Sequence, residues 1–450
     1  MIAPANEAMI ASPRSRPGAA VDAPPRTRNS ATALVQRTAL VIAGGTGGHV
    51  FPGLAVAAAL VARGWRVVWM GHPQGMEVGL VGRAGLPFEG VPFGALRGKG
   101  VLALVRLPLN FARAWLQARA VLQRVRPQVV LGMGGYVTVP GGTAARSLGI
   151  PLILHEQNSV AGLANRLLAR FAVGVVEAFP GAFQRPGGGR LGALLGGALT
   201  PLRGDRVAVL GNPVRAALAD LPAPLVRARA RRGPLRILVV GGSLGAKALN
   251  ELVPAALTQL AGRLPSEWLP RVRHQSGRAH LEALRAAYAK AEIDAEVLDF
   301  IDDMAQAYGD ADLVICRAGA ATVAELAVAG VAALLVPFPF AVDDHQTSNA
   351  RWLVDAGAAW LAAQSQLSAQ ALADQLYALA RPIAASDAGV SAEIATEIPT
   401  ESPTEIRTKA TTEAPNGRAE LAAMAQRARA LAYPDAAQRV ADFVEARARG

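Results

Sequence analysis

The chain has 450 residues, 52% of them hydrophobic and 18% charged, with a formal net charge of +12. That length calls for two core-forming domains rather than one. No apolar run reaches the roughly 20 residues of a membrane span, and the single cysteine, Cys316, excludes an intrachain disulfide framework and a cysteine-built zinc site. The expected compartment is the cytoplasm, and the expected partners are anionic.

In chain order, residues 1–37 lack the continuous apolar core of a signal peptide and read as a disordered tail, in which Met9 offers an alternative start. Short, mainly apolar runs follow at 39–43, 66–70, 129–131, 151–154, 235–240, 313–316 and 333–336. Each precedes a glycine-rich turn and a helical pattern, which predicts parallel strands covered on both faces. "TALVIAGGTGGH" and "PLRILVVGGSLGAKALN" open the two halves in the same way. Two Rossmann-like domains are therefore expected, at 38–212 and 213–364, divided by the turn "VLGNPVR". Residues 184–206 read as a glycine-rich surface insertion, and 365–450 as helices interrupted by a disordered Ser/Thr/Pro/Glu segment at 383–418.

The basic residues cluster. Between Glu89 and Glu156 there is no acid, while Arg97, Lys99, Arg106, Arg113, Arg119, Arg124, Arg126 and Arg146 all fall there. Nucleic acid, an anionic membrane and a phosphate-rich substrate all suit such a stretch. No helix-turn-helix or RNA-binding sheet motif is present, which argues against nucleic acid. Within 96–126 the helical spacing of Phe111, Trp115, Ala118, Leu122 and Val125 reads either as a helix packed on the sheet or as a surface that touches an anionic bilayer. In the second reading Val101, Leu102, Leu104, Arg106, Leu107 and Trp115 make the contact.

Four further stretches carry polar chemistry. "AGGTGGHVFPG" (43–53) supplies Gly-x-Gly at 45–47, but position 50 is valine where the dinucleotide fingerprint needs a third glycine, and no P-loop lysine follows. Its glycines allow close backbone approach to a ligand, and the helix that starts there favours negative charge. "GGSLGA" (241–246) fits either a second such turn, with Ser243 as hydroxyl donor, or the nucleophile elbow of a serine hydrolase. In "CRAGAATVAEL" (316–326), Thr322 and Glu325 have capping-box spacing, while Glu325 also suits the two hydroxyls of a ribose. "LHEQNSVAGLANR" (154–166) and "DDHQTSNA" (343–350) place amides and acids beyond strand ends, where ligands of open α/β sheets bind.

Taken together, "GGTGGHVFPGLAVA", "LGMGGYVTVPGG", "LHEQNSVAGLANR", "GNPVR", "VVGGSLGAKALNE", "HQSG", "FIDDMAQAYGDADLVICRAGAATVAEL" and "DDHQTSNA" resemble, in this order, the MurG family of N-acetylglucosaminyltransferases. The resemblance spans about residues 38–364. It implies a GT-B fold, two doubly wound domains facing across a cleft with the last helix crossing back to the first. It also implies inverting transfer of GlcNAc from UDP-GlcNAc to the C4 hydroxyl of MurNAc in undecaprenyl-pyrophosphoryl-MurNAc-pentapeptide (lipid I). Under it, Glu325 meets the ribose, Ala320, Ala321, Thr322, Val323 and Ala324 line the diphosphate and uridine, and Ile301 gives a backbone contact to uracil. Ser243 and Arg215 lie on the phosphate side, and Gln346 and Asn349 bind sugar hydroxyls. Thr46, Gly47, Gly48 and Asn158 approach the donor from the first domain. His49 is the preferred base, its ordinary pKa of about 6.5 suiting the task, with Glu156 as the alternative. No cofactor and no metal are implied. The partners are UDP-GlcNAc, lipid I, the anionic inner leaflet and other cell-wall synthesis proteins, at the cytoplasmic face of the bacterial inner membrane.

Overall fold

The computed structural model describes residues 36–94, 106–185, 206–242, 245–341, 344–381 and 417–449. The 1–37 tail and the 184–206 and 383–418 segments lie almost wholly outside these. Gly417 and Arg418, read from sequence as the end of the last segment, instead open the helix Gly417–Ala430.

Two all-parallel sheets carry the fold. The first contains β1 (Thr38–Ala43), β2 (Arg66–Gly71), β3 (Phe88–Gly90), β4 (Val129–Gly134), β5 (Leu152–Glu156), β6 (Gly174–Glu177) and β7 (Val207–Val209), in the order β3-β2-β1-β4-β5-β6-β7. The second contains β8 (Arg236–Val240), β9 (Arg271–Gln275), β10 (Ala295–Leu298), β11 (Leu313–Cys316), β12 (Ala332–Leu335) and β13 (Ala359–Leu361), in the order β10-β9-β8-β11-β12-β13. Each strand order reverses once, between β1 and β4 and between β8 and β11. In open sheets such reversals open a crevice beyond the strands' carboxyl ends.

Both faces are buried because the strand period of two sends alternate side chains to opposite helix layers. From β1, Leu40 and Ile42 join Val68, Met70, Ala118 and Leu122. Ala39, Val41 and Ala43 join Val56, Leu60 and Trp69 on the other face. At the reversal the β1–β4 register slips: Ile42 pairs with Gly132 but Ala43 with Gly134, so Met133 drops out of the ladder.

The chain returns to its first domain. Val440, Ala441 and Val444 of the helix Ala436–Glu445 enter the core beneath β1. A polar clasp seals the contact: Arg63 Nη1 donates to Asp442 at 2.5 Å and Glu445 at 2.8 Å, and Trp65 Nε1 donates to Glu445 at 2.6 Å. Partial burial pushes the Glu445 carboxyl up, but the Trp65 and Arg63 hydrogen bonds outweigh it and hold its pKa below the ordinary value. Glu445→Ala is expected to lower unfolding stability by about 1–2 kcal/mol, as loss of charge-assisted hydrogen bonds does. Denaturant titration at neutral pH checks this.

Candidate functional site

The crevice of the first domain is built from loops that lack side chains. Gly135, at φ +88°, brings its Cα so close to Gly44 that a Cβ would lie 2.3 Å from the Gly44 carbonyl oxygen. Gly134, at φ +108°, leaves space for an imidazole, since a Cβ there would sit 2.7 Å from His49 Nδ1. Of the glycines in 44–48, Gly44 packs inward over Glu77, Gly45 borders open space, and a Cβ at Gly48 would lie 3.6 Å from Thr46 Oγ1. The helix Gly47–Ala62 starts here with Thr46 as N-cap, no side-chain cap and no acid in its first turn. Its first N–H groups, those of Gly47 and Gly48, have no intrahelical acceptor by position. They favour an anion.

The end of β5 supplies the polar groups. His155 and Gln157 share one side of the strand and Glu156 takes the other. The half-buried His49 bonds through Nδ1 to Gln157 Oε1 at 2.9 Å. Gln157 Nε2 donates to the carbonyl of Met133 at 2.7 Å and lies 3.1 Å from His155 Nδ1. His155 Nε2 in turn meets the Gly211 carbonyl at 3.0 Å. His155 is fully buried, which lowers its pKa to about 4. The Gly211 bond partly opposes this and the nearby His49 adds to it. His155 is therefore a neutral structural imidazole.

Glu156 is engaged elsewhere. Its Oε1 accepts from Asn158 N at 3.0 Å and Asn158 Nδ2 at 3.3 Å, and its Oε2 from Gly162 N at 3.0 Å and Asn165 Nδ2 at 2.9 Å. Gly162 is the N-cap of the helix Leu163–Ala169. The carboxylate thus organises the 156–165 loop, and a buried group with four donors on it is badly placed to take a proton from a ligand.

Across the crevice, the helix Ala320–Ala329 also starts uncapped, with Gly319 as N-cap and Val323 N bonded to the Gly319 carbonyl. Thr322 therefore lies inside the helix, and the capping-box alternative for Thr322 and Glu325 is not realised. Ala320, Ala321 and Thr322 contribute the open N–H groups, and Val323 and Ala324 turn into the core. Arg227 donates to the Ala329 carbonyl at 2.7 Å and to that of Gly330, and Arg429 to that of Val328, so cations complete the helix's negative end.

Glu325 Oε2 accepts from the hydroxyl of the buried Tyr308 at 3.1 Å. Burial raises the Glu325 pKa, while the Arg215 charge and the Tyr308 bond pull against that rise without cancelling it. Arg215 donates to the Asp302 carbonyl at 3.3 Å and stacks over Phe51 of the first domain, 5.4 Å from its ring centre. Arg215, Tyr308, Glu325 and the helix start thus converge. Ile301 is buried in the same core, and Gln346 Oε1 holds the Phe338 N–H at 2.9 Å. Ser243 lies outside the described residues.

Asn349 departs from expectation. It is fully buried, and its Oδ1 accepts from Ser159 N at 2.8 Å and Ser159 Oγ at 2.9 Å. Its Nδ2 donates to Asn158 Oδ1 and the Ala318 carbonyl, both at 3.3 Å. The amide is saturated by a clasp between the two domains, with nothing left for a sugar hydroxyl. Tyr308, Gln157 and this clasp are what sequence reasoning missed. Gln157 was visible as part of a polar strand end, but no spacing links it to position 49, and Tyr308 reads as an ordinary core aromatic.

The basic helix also needs correction. Val101, Leu102 and Leu104 lie outside the described residues. In the helix Leu107–Val125, Leu107 and Trp115 pack against the first domain's core, while Leu109 and Leu116 face outward at 54% and 60% exposure. Leu109, Arg113 and Leu116 follow at helical spacing and form the outer stripe. Arg106 is exposed at the helix start. The hydrolase alternative is not supported by His274, which is buried between Tyr288 and Asn250 and pushed down to about 3 by burial. Among the described residues no group of three or more His, Cys, Asp or Glu could hold a metal ion, and no helix is long and apolar enough to cross a membrane.

Two parallel doubly wound domains, joined by a buried clasp and opening uncapped helix starts into one crevice, define a glycosyltransferase of GT-B architecture. Residues 39–176 match the N-terminal domain of glycosyltransferase family 28 and residues 236–398 its C-terminal domain. A Ralstonia nicotianae protein is 51% identical over 421 residues, covering 93% of this chain and 98% of its own. It is named UDP-N-acetylglucosamine--N-acetylmuramyl-(pentapeptide) pyrophosphoryl-undecaprenol N-acetylglucosamine transferase. A Cupriavidus necator protein of the same name is 56% identical over 346 residues, 77% of this chain and 90% of its own. The crystal structure of Acinetobacter baumannii MurG aligns with a TM-score of 0.68 at 37% identity, covering 91% of this chain and 99% of that one. The chain belongs to glycosyltransferase family 28 and, within it, to the MurG family.

The raised Glu325 pKa has a consequence for stability. A carboxyl that holds its proton more tightly when folded weakens the fold at neutral pH, where it must ionise in place. Glu325→Gln is therefore expected to raise the melting temperature at pH 7, with the gain vanishing as pH falls below the ordinary carboxylate range. Thermal melts of both proteins across pH 3–8 read this directly.

Proposed function

We infer that the crevice performs one inverting displacement. GlcNAc passes from UDP-GlcNAc to the C4 hydroxyl of MurNAc in undecaprenyl-pyrophosphoryl-MurNAc-pentapeptide (lipid I), giving lipid II. The observation that carries this is the match to relatives named for this transfer over both domains and nearly their whole length. The C4 oxygen attacks the donor's anomeric carbon from the face opposite the diphosphate. The bond from that carbon to the diphosphate oxygen breaks, and its electron pair leaves with UDP.

His49 is the base in this reading. Its Nδ1 is committed to Gln157, so Nε2 on the opposite side of the ring takes the C4 hydroxyl's proton. The charge that develops on the departing diphosphate is met by the N–H groups of Gly47 and Gly48, by the helix start at Ala320–Thr322 and by Arg215. Thr46 and Asn158 border the same space, and Ser243 is assigned to the phosphate side by the family resemblance alone. Glu325, held by Tyr308, accepts the two ribose hydroxyls, with Ile301 beside the uracil and Gln346 at the sugar. His49→Ala is expected to lower kcat for UDP release from a lipid I analogue by about 10²- to 10⁴-fold. Unchanged turnover would remove His49 as base.

Because protein cations and dipoles meet the leaving charge, transfer needs no divalent ion in this reading. Turnover that survives EDTA supports this, and turnover that EDTA abolishes and Mg²⁺ restores refutes it.

The acceptor's polyprenyl chain requires docking on the inner leaflet as a peripheral protein. Leu109 and Leu116 supply the apolar contact, and Arg106 and Arg113 the attraction to anionic lipid, worth about 1 kcal/mol per cation near the surface. Flotation with anionic vesicles is expected to recover the protein, and Leu109→Ser/Leu116→Ser to reduce recovery several-fold. Equal binding to neutral vesicles would count against the electrostatic part.

A further inference from the structure

We propose that Gln157 is the positioning residue of this transferase: its amide locks His49 in the tautomer that carries hydrogen on Nδ1, so that Nε2 is the nitrogen that accepts a proton. The inference rests on His49 being the base, and it concerns how that base is prepared.

One group beside Gln157 has only a single hydrogen-bonding role. The Met133 carbonyl can only accept, and Met133 is the residue that the register slip at the end of β4 passes over. The Gln157 atom 2.7 Å from it must therefore be the amide nitrogen. The reverse orientation would set two oxygens with lone pairs against each other at that distance. With Nε2 so placed, Oε1 faces His49 Nδ1 at 2.9 Å. An amide oxygen only accepts, so Nδ1 must carry hydrogen. In the neutral ring that leaves the lone pair on Nε2.

His155 fixes the amide from its other side. Its Nε2 meets the Gly211 carbonyl at 3.0 Å, again an acceptor only, so that nitrogen carries the hydrogen. Its Nδ1 is then an acceptor, 3.1 Å from Gln157 Nε2. The amide nitrogen has three groups within reach, Met133 O, His155 Nδ1 and, at 3.3 Å, the His155 carbonyl, all of them acceptors, so the chain Gly211–His155–Gln157–His49 admits one assignment of donors and acceptors. Gln157 and His155 are 1% and 0% exposed, so water does not compete for these atoms.

The same pattern survives proton transfer. When His49 has taken a proton on Nε2, its Nδ1–H still donates to Gln157 Oε1, now with charge assistance. An amide cannot remove that proton, so it remains on His49 until solvent takes it. A carboxylate at position 157 would lose the Met133 and His155 contacts and add a charge.

The test reads the tautomer directly. With ¹⁵N-histidine labelling of the full chain, which has six histidines, the His49 signals are assigned by their loss in His49→Ala. At a pH where His49 is neutral, wild-type protein is expected to show a protonated Nδ1 and an unprotonated Nε2. In Gln157→Leu the two nitrogens are expected to shift towards the averaged values of an unrestrained imidazole. The kcat for UDP release is expected to fall roughly 10- to 100-fold, the scale seen when a metal-bound histidine loses the partner that orients it, with KM for UDP-GlcNAc within twofold. A wild-type His49 protonated on Nε2 overturns the proposal without any variant. So does Gln157→Leu that retains the wild-type kcat, or one whose loss lies in KM alone. Unchanged turnover by His49→Ala would instead overturn the base assignment, and it is read separately from the nitrogen spectra.

Discussion

The site depends on one close approach of two backbones. At the reversal of the first sheet, the loops after β1 and β4 touch through Gly135 and the Gly44 carbonyl, with no side chain between them. Any Cβ at Gly135 would collide with that oxygen, and its positive φ would be strained as well. This approach seats the start of the helix Gly47–Ala62 against β4. It also brings His49 onto the bare face of Gly134 and within reach of Gln157. The register slip that passes over Met133 lies at the same point. The placement of His49, its bond to Gln157 and the open N–H groups are therefore consequences of one packing event.

The second domain solves a similar problem with different atoms. Its helix Ala320–Ala329 opens uncapped towards the crevice and is held at its other end by Arg227 and Arg429. With its negative end satisfied by cations, the helix keeps its electropositive start for a ligand. Glu325 stands one turn in, its carboxyl buried against Tyr308 and opposed by Arg215. A carboxylate kept partly desolvated weakens the fold at neutral pH, where it must ionise in place.

Between the domains, polar groups do the joining. Asn349 spends its whole amide on Ser159, Asn158 and the Ala318 carbonyl, and Arg215 lies over Phe51. Buried hydrogen bonds of this kind add about 1 kcal/mol each, yet breaking one leaves a partner unsatisfied at a cost of about 1–3 kcal/mol. They define one relative placement of the two crevices more sharply than apolar contact would. Farther out, the helix Ala436–Glu445 returns to the first domain, so the chain's end braces the domain in which it began.

Much of this was legible in the amino-acid sequence. The seven apolar runs read as strands fall in β1, β2, β4, β5, β8, β11 and β12, the central strands, because burial on both faces demands unbroken hydrophobicity. The strands that were not legible, such as β3, β7 and β13, are three residues long, and β9 reads "RVRHQ". Short or partly polar strands leave no periodic signal. The glycine turns, His49, Arg215 and Glu325 were also visible, because turn chemistry and strand-end polarity are local properties. Only the tertiary structure could decide how those groups are used. Gln157 meets His49 across 108 residues, and Asn349 meets Ser159 across 190. Glu156 and Asn349, both candidates for chemistry by residue type, are consumed in holding a loop and a domain boundary. Residue type states what a side chain can bond to, and the fold determines which partners reach it first.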